Sequence, residues 1–499
     1  MTTELGRPRA AGPVVPAART SAEPTPPRSR ADTAWVWVMA LGFFALYTVV
    51  SVRQHIRLRT TGFDLGIFEQ AVRSWAHGHL PHSELKGPGF PLLGDHFSPV
   101  LALLAPLYRV FPTAVTLLVA QAALLAVAVV PLACWAQRAL GRSTALILGL
   151  AYGLSWGIAQ AIGFDFHEIA FAVPLISCSV CALGQDRPRA AVAWALPLLL
   201  VKEDLGLTVA ALGGLIWFLG RRRLGLVTAV VGLAGTALEV LVLLPHFNPG
   251  HKFSYWHNLN DGQTNQHSPG HLVSRLSVGL ISPEPKAVLI VLLLAPTAFL
   301  ALRSPLLALA VPTLAWRLFS DYWQYWSGHF HYNAVLMPIL FAAFIDALRR
   351  AGPRRRREAL TVSALITVLF VPGNALWSPF QPSTWHSDPR ISDARAALAR
   401  VPDDVTVAAS NSLAPHLTNR ASVSLFGSPT ERPNPEWIVV DTAEPASWPF
   451  DTIDQQNDLL KAAEQAGYRK VDQHGAFLVL HRPPPDARQF PPPPKDPTS

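Results

Sequence analysis

The chain is punctuated by apolar runs of roughly 15 to 22 residues, about the length a helix needs to cross a ~30 Å hydrocarbon layer. In lipid, backbone polar groups are satisfied only within a helix or around a closed barrel, and these runs lack the two-residue alternation of barrel strands. The sequence therefore reads as an all-α polytopic membrane protein. Only 15% of its 499 residues are charged, against about 25% in soluble domains. The net charge of +8 sits mostly in Arg clusters between the runs. That is a positive-inside pattern and not a nucleic-acid footprint. Cys134, Cys178 and Cys181 all lie within apolar runs, so no disulfide framework is read, and the CxxC formed by the last two reads as small apolar packing.

Residues 1–33 carry Pro, Ala, Thr and Arg without apolar periodicity and read as a disordered cytoplasmic tail. The first span, Ala34 to Val50, is an uncleaved anchor. Further candidates are Thr113–Ala136, Thr144–Gly163, Ile169–Gly184, Ala190–Val201, Leu205–Gly220, Leu224–Leu244, Ala287–Leu302, Pro305–Phe319, Tyr332–Leu348 and Ala359–Val371, giving about eleven spans. With the N-terminus inside a plasma membrane, the loops at Arg138/Arg142, Arg187/Arg189, Arg221 to Arg223, Arg303 and Arg349 to Arg357 all fall in the cytoplasm. This parity requires Phe97 to Phe111, broken by Pro99 and Pro106, to be an interfacial helix and not a crossing. Ala190 to Val201 is short, so it and the following segment are either two short crossings or a re-entrant hairpin. The membrane domain then covers 34–372, with an external loop at 51–112. Residues 373–482 form a small extracytoplasmic α/β domain, with strands at Val405–Ala409, Ser422–Phe426 and Trp437–Asp441, a helix at Asp451–Ala466 and a closing hairpin. A disordered Pro-rich tail at 483–499 follows.

On this map the ionisable residues gather on the extracytoplasmic face: Asp64 and Glu69, Asp95 and His96, Asp165, His167 and Glu168, Lys202, Glu203 and Asp204, Arg317, and His331 beside Tyr332. Such groups at membrane depth usually line a cavity. Asp64 precedes an apolar pattern and reads as a helix N-cap or as a general base. Asp95-His96 and His167-Glu168 could offer a divalent cation its ligands or form polar networks, and no fixed metal spacing decides between them. Lys202 meets a phosphate or pairs with Glu203, Asp204 or Asp165. Arg317 either clamps a lipid phosphate or snorkels to headgroups. Trp316, Tyr322, Trp323, Tyr325 and Trp326 read as an interfacial belt. A transporter or flippase lined by these charges, and a scaffold or sensor using its C-terminal domain, stand beside an enzyme as readings.

The series FDLGIFEQ, GDHFSP with LLAPLYRVFP, FDFHE, LLLVKEDLGL, HYNAVLMP and SNSLAPHLTNR resembles an uncharacterised family of bacterial polytopic membrane proteins, the domain of unknown function numbered twenty seventy-nine. The resemblance covers about Thr60 to Phe426. It implies a GT-C-like fold related to membrane glycosyltransferases, which take a sugar from a polyprenyl-phosphate carrier on the external face. By that likeness Asp64 is the first-loop acid, the lipid bilayer and a polyprenyl-phosphate sugar are the partners, and Glu69, Asp95, His96, His167, Glu168, Lys202, Glu203, Asp204, Arg317, His331 and Tyr332 bind substrate. His331 stands where relatives often carry Arg or Lys.

Overall fold

The computed structural model describes residues 33–259, 278–443 and 448–482. The two tails expected to be disordered lie outside these, apart from Thr33. Among the described residues four helices are long and apolar enough to cross a membrane: Ala34–Ile56, Ala114–Leu140, Arg142–Gly163 and Arg222–Phe247. Shorter apolar helices, among them Glu168–Gly184 and Leu205–Phe218, account for other runs read as spans. Several of the remaining candidates are shortened by proline and 3₁₀ turns. Pro188–Ala195 passes into a 3₁₀ segment at Leu196–Leu200, and Pro305–Ala310 is 3₁₀ before the α-helix Val311–Phe319. The run beginning at Glu284 breaks at Ala298 and Phe299, both in the left-handed region. The Phe97–Phe111 segment is a 3₁₀ run, Pro99–Leu104, continued by a six-residue helix, Ala105–Val110, together about 21 Å at ~2.0 and ~1.5 Å per residue, short of a ~30 Å layer.

Small residues bring the bundle together. Leu205–Phe218 and Arg222–Phe247 form a hairpin in which a Cβ on Gly213 would lie 2.3 Å from the Ala229 nitrogen, and one on Gly232 2.5 Å from the Ala210 nitrogen. Side chains there would force the backbones apart, the usual device for helix packing without a hydrophobic driving force. Gly153 likewise abuts the ring of Phe43, and the Tyr47 hydroxyl donates to its carbonyl. At one end, Arg138 donates to Gln185 (2.7 Å), Arg349 to the Gly184 carbonyl (3.1 Å) and Arg350 to the Arg303 carbonyl (3.0 Å). Four loops assigned to one side by their charge thus meet at one end of the bundle.

The other end carries the first loop and the C-terminal sheet. A short hairpin, β1 (His82–Ser83) with β2 (Phe90–Pro91), follows the helix Ile67–Ala76. Strands β3 (Thr406–Ala409), β4 (Ser422–Leu425), β5 (Trp437–Asp441), β6 (Arg469–His474) and β7 (Phe477–His481) lie in the order β4-β3-β5-β7-β6. β3 is parallel to β4 and β5, and β7 is antiparallel to β5 and β6. Period-two alternation splits the apolar residues between two faces. Ala408, Ile438 and Val440 meet Leu460 and Ala463 of the helix Ile453–Gln465, whose start is fixed by a Thr452/Gln455 capping box. Val407, Ala409, Val423 and Val439 share a core with the helix Pro389–Leu398 and with Leu65, Phe68, Val72 and Leu85 of the first loop. Burying both faces of the sheet thus requires residues from the opposite end of the sequence.

Candidate functional site

The first span ends in a turn at Gly62–Gly66 that carries Asp64, entered through extended Thr61 and containing a non-helical Phe63. Asp165 holds this turn from the bundle, its carboxylate accepting from the Thr61 N–H (3.0 Å) and hydroxyl (2.5 Å). From the other side the Asn411 carbonyl accepts from the Gly62 N–H (2.7 Å) and its side chain from the Phe63 N–H (3.0 Å). A Cβ on Gly62 would sit 2.6 Å from that of Ala414, so glycine allows the close approach. Asp64 does not cap a helix. Its carboxylate lies 3.4 Å from the His167 ring nitrogen, and 29% of the side chain is exposed.

Behind this pair is a buried polar network. His167 stacks on His331 with ring centroids 3.5 Å apart, and Phe164 stacks on His167. Lys202 donates to Glu168 (2.7 Å), a partner outside the three considered from sequence. His96 pairs with Glu203 (2.8 Å) and stacks on Tyr255, whose hydroxyl donates to Asp95; Lys86 bridges to the same carboxylate at 3.0 Å. The Trp316 indole donates to Asp204 (3.2 Å). Arg317 neither snorkels nor offers an open fork. It is fully buried, and its guanidinium donates to the Tyr325 and Tyr332 carbonyls and to the Asn333 side chain, at 2.6, 3.2 and 3.0 Å. Trp316 and Tyr325 are thus parts of this wall as well as aromatic neighbours.

Charge balance inside the network sets its protonation. Burial opposes ionisation of Asp95, but Lys86 and His96 outweigh it and hold the carboxyl below its ordinary range. Burial and the Lys202 ammonium oppose protonation of His96, and Glu203 with Asp95 overcome both, so its pKa rises. Asp165 goes the other way, pushed up to about 7 by burial and by Asp64 against the Thr61 hydrogen bonds. His331 is held neutral by burial, reinforced by His167, Lys202, Arg317 and His96. Both of its ring nitrogens, one oxygen each of Glu168, Glu203 and Asp204, and the Asn333 amide nitrogen are buried without a hydrogen-bond partner. Such groups are costly in a fold made for stability alone.

Contacts thus run from Asp64 through His167, His331, Tyr332 and Arg317 to Asp204, while Asp95, His96 and Glu203 and the pair Lys202–Glu168 adjoin that series through their chain neighbours. Glu69 is not among them. It points into the packing of the first loop against the C-terminal domain, where the Tyr108 hydroxyl donates at 2.9 Å and the Thr418 hydroxyl also donates. Lys86, Tyr255, Asn333, Thr61 and Asn411 were not singled out from sequence, because each stands alone in a loop with no periodic or charge-run signal. Among the described residues no group of three or more His, Cys, Asp and Glu side chains converges as a metal site. Most of the acidic groups already face a cation or a hydroxyl.

The quoted motifs can now be set beside known proteins. A model of predicted membrane proteins, DUF2079, matches residues 54–478. The chain belongs to that family. Two of the solved structures that share its fold are of ArnT from Cupriavidus metallidurans. The form bound to undecaprenyl phosphate is 15% identical with a TM-score of 0.52, and the apo form 16% with 0.51. Each alignment covers 90% of this chain and 98% of the other. Among curated proteins no match is found. The family member described here is therefore a membrane protein with an ArnT-like bundle and a small C-terminal sheet.

Proposed function

We propose that the protein is an inverting membrane glycosyltransferase that takes a sugar from a polyprenyl-phosphate carrier on the extracytoplasmic face. The observation that carries this reading is Asp64: a partly exposed carboxylate on a turn clamped from two sides, at the edge of a buried polar network that holds both carboxylates and cations. The ArnT likeness, with one of those structures bound to undecaprenyl phosphate, supports the same substrate class. The clustering of Arg loops at the opposite end supports placing that end in the cytoplasm and the site outside. On this reading the shorter helices complete the crossings beyond the four long ones.

In the reaction, the acceptor oxygen attacks the anomeric carbon while Asp64 accepts the hydroxyl proton. The bond from that carbon to the phosphate oxygen breaks, and the polyprenyl phosphate leaves with the electron pair. Lys202, 14% exposed beside Glu168, meets the charge growing on the leaving group. Its effect exceeds that of an exposed lysine because water is sparse around it. His167 orients the base. Arg317, by fixing the carbonyls of Tyr325 and Tyr332, holds the wall that carries His331, a positioning role and not a phosphate clamp.

The test is purified protein in nanodiscs with a panel of radiolabelled polyprenyl-phosphate sugars, following release of polyprenyl phosphate in the presence of a membrane extract as acceptor source. Wild type turns over at least one donor and Asp64→Asn loses at least about 100-fold in rate, in keeping with loss of a general base, while its melting temperature is unchanged. Turnover by the Asn variant equal to wild type would sink the assignment of Asp64. Failure of every donor with folded wild type would sink the reaction class.

A further inference from the structure

We infer that Asn411 of the C-terminal domain is a positioning residue for the Asp64 turn, so that the soluble sheet is part of the site's framework and not a separate binding module. This rests on the proposed role of Asp64 for its catalytic consequence, though not for its structural part.

In a sheet with parallel strands, the crevice beyond the carboxyl ends of strands, at the point where the order reverses, is the ordinary place for a ligand. Here β4 lies on one side of β3 and β5 on the other, and the chain reaches Asn411 just past the end of β3. What occupies that position is the chain's own turn. Asn411 takes the N–H groups of two successive residues, Gly62 through its backbone and Phe63 through its side chain. Phe63 immediately precedes Asp64 and has a non-helical backbone (φ −92°, ψ 72°), so its N–H has no place in the helix that follows. Asn411 is itself 9% exposed, so water does not substitute freely for it. The carboxylate of Asp165 takes the preceding N–H, that of Thr61. Three consecutive amides before the acid are thus fixed, one from the bundle and two from the C-terminal domain. A carboxylate that must meet an acceptor hydroxyl within hydrogen-bond distance depends on such anchoring, since small misplacement costs large factors in rate.

The experiment uses full-length protein in nanodiscs with Asn411→Leu, which removes the side-chain acceptor, and Asn411→Asp, which keeps it. Two readouts need no turnover: amide hydrogen exchange at residues 61–66, and carbodiimide labelling of the Asp64 carboxylate located by peptide mass spectrometry. Asn411→Leu raises exchange at the Phe63 amide at least about tenfold and alters Asp64 labelling severalfold, while Asn411→Asp stays near wild type in exchange. In the donor panel, Asn411→Leu lowers kcat by about 10- to 100-fold with KM for the donor within about twofold, and Asn411→Asp recovers most of it. Unchanged exchange and labelling in Asn411→Leu overturn the inference whatever the enzyme does. Raised exchange with undiminished turnover overturns the positioning role. A wild type inactive on every donor, with exchange and labelling responding as stated, leaves the clamp standing and removes only the glycosyl-transfer reading. Loss of the C-terminal fold, seen as raised exchange in β5 and β7 also, would show that Asn411 acts on the whole domain and would overturn the specific role.

Discussion

Replacing Glu69 with Gln makes a prediction whose sign and size both follow from the structure. Glu69 is fully buried between the first-loop helix and the C-terminal domain, and burial pushes its pKa up from 4.5 to about 7, against the hydrogen bonds from Thr418 and Tyr108 and the charge of Arg73. Between those two values the folded protein holds a proton that the unfolded chain has lost. Folding stability is therefore fully present below about pH 4.5, falls as pH rises through the window, and levels off above about 7. Two and a half pKa units correspond to about 3 kcal/mol. Gln is a neutral isostere that can still accept from one hydroxyl and donate to the other, so the variant lacks this slope. The difference in stability between variant and wild type then climbs by about 3 kcal/mol from pH 4.5 to 7.5, in favour of Gln at the alkaline end. In melting temperature that is a gap growing by on the order of 5 °C. The assay is differential scanning fluorimetry of both proteins across that range. Taking the difference cancels other titrating groups, such as Asp165 and the buried His416, whose pKa burial drives far down. A difference that stays flat with pH would refute the claim that Glu69 titrates in this interface.

Two further expectations follow. Gly213→Leu puts a side chain into the seam where a Cβ already meets the Ala229 nitrogen at 2.3 Å, so thermal unfolding in detergent should show a loss of about 1–3 kcal/mol or more. Gly214→Leu, with open space at its Cβ, should show little. Arg317→Lys keeps the charge but cannot reach three acceptors in a fixed plane. It should cost about 3 kcal/mol in stability and raise hydrogen exchange across residues 322–333, and an Arg317→Lys protein as stable as wild type would count against the bracing role.

The apolar runs made the membrane class legible, and the alternation of Val407 and Val439 with Ala408 and Ile438 made the sheet legible, because both patterns are local and periodic. Where the apolar runs break was not legible. Hydropathy sees the apolar stretch from Ala287 to Leu302 but not that Ala298 and Phe299 take left-handed backbone that ends the helix. Most residues of the buried polar network stood out in the sequence because charge in an apolar setting is conspicuous. Glu69 was drawn in with them, since sequence cannot say which way a buried carboxylate in an amphipathic helix points. Its two partners, Tyr108 and Thr418, carry no charge. Lys86 and Asn411 were missed for a related reason: their meaning lies in contacts to Asp95 and to the Phe63 amide, made across loops.

The turn at Asp64 follows the helix Ala34–Ile56, yet the acceptor of its Phe63 N–H stands 348 positions further on. During synthesis the turn therefore lacks that acceptor until the chain has been made past Asn411 and the sheet has folded against it. A chain stopped before Asn411 could be inserted and helical and still lack the finished turn. Completion of the turn is in this sense a record that translation has passed the strand Thr406–Ala409.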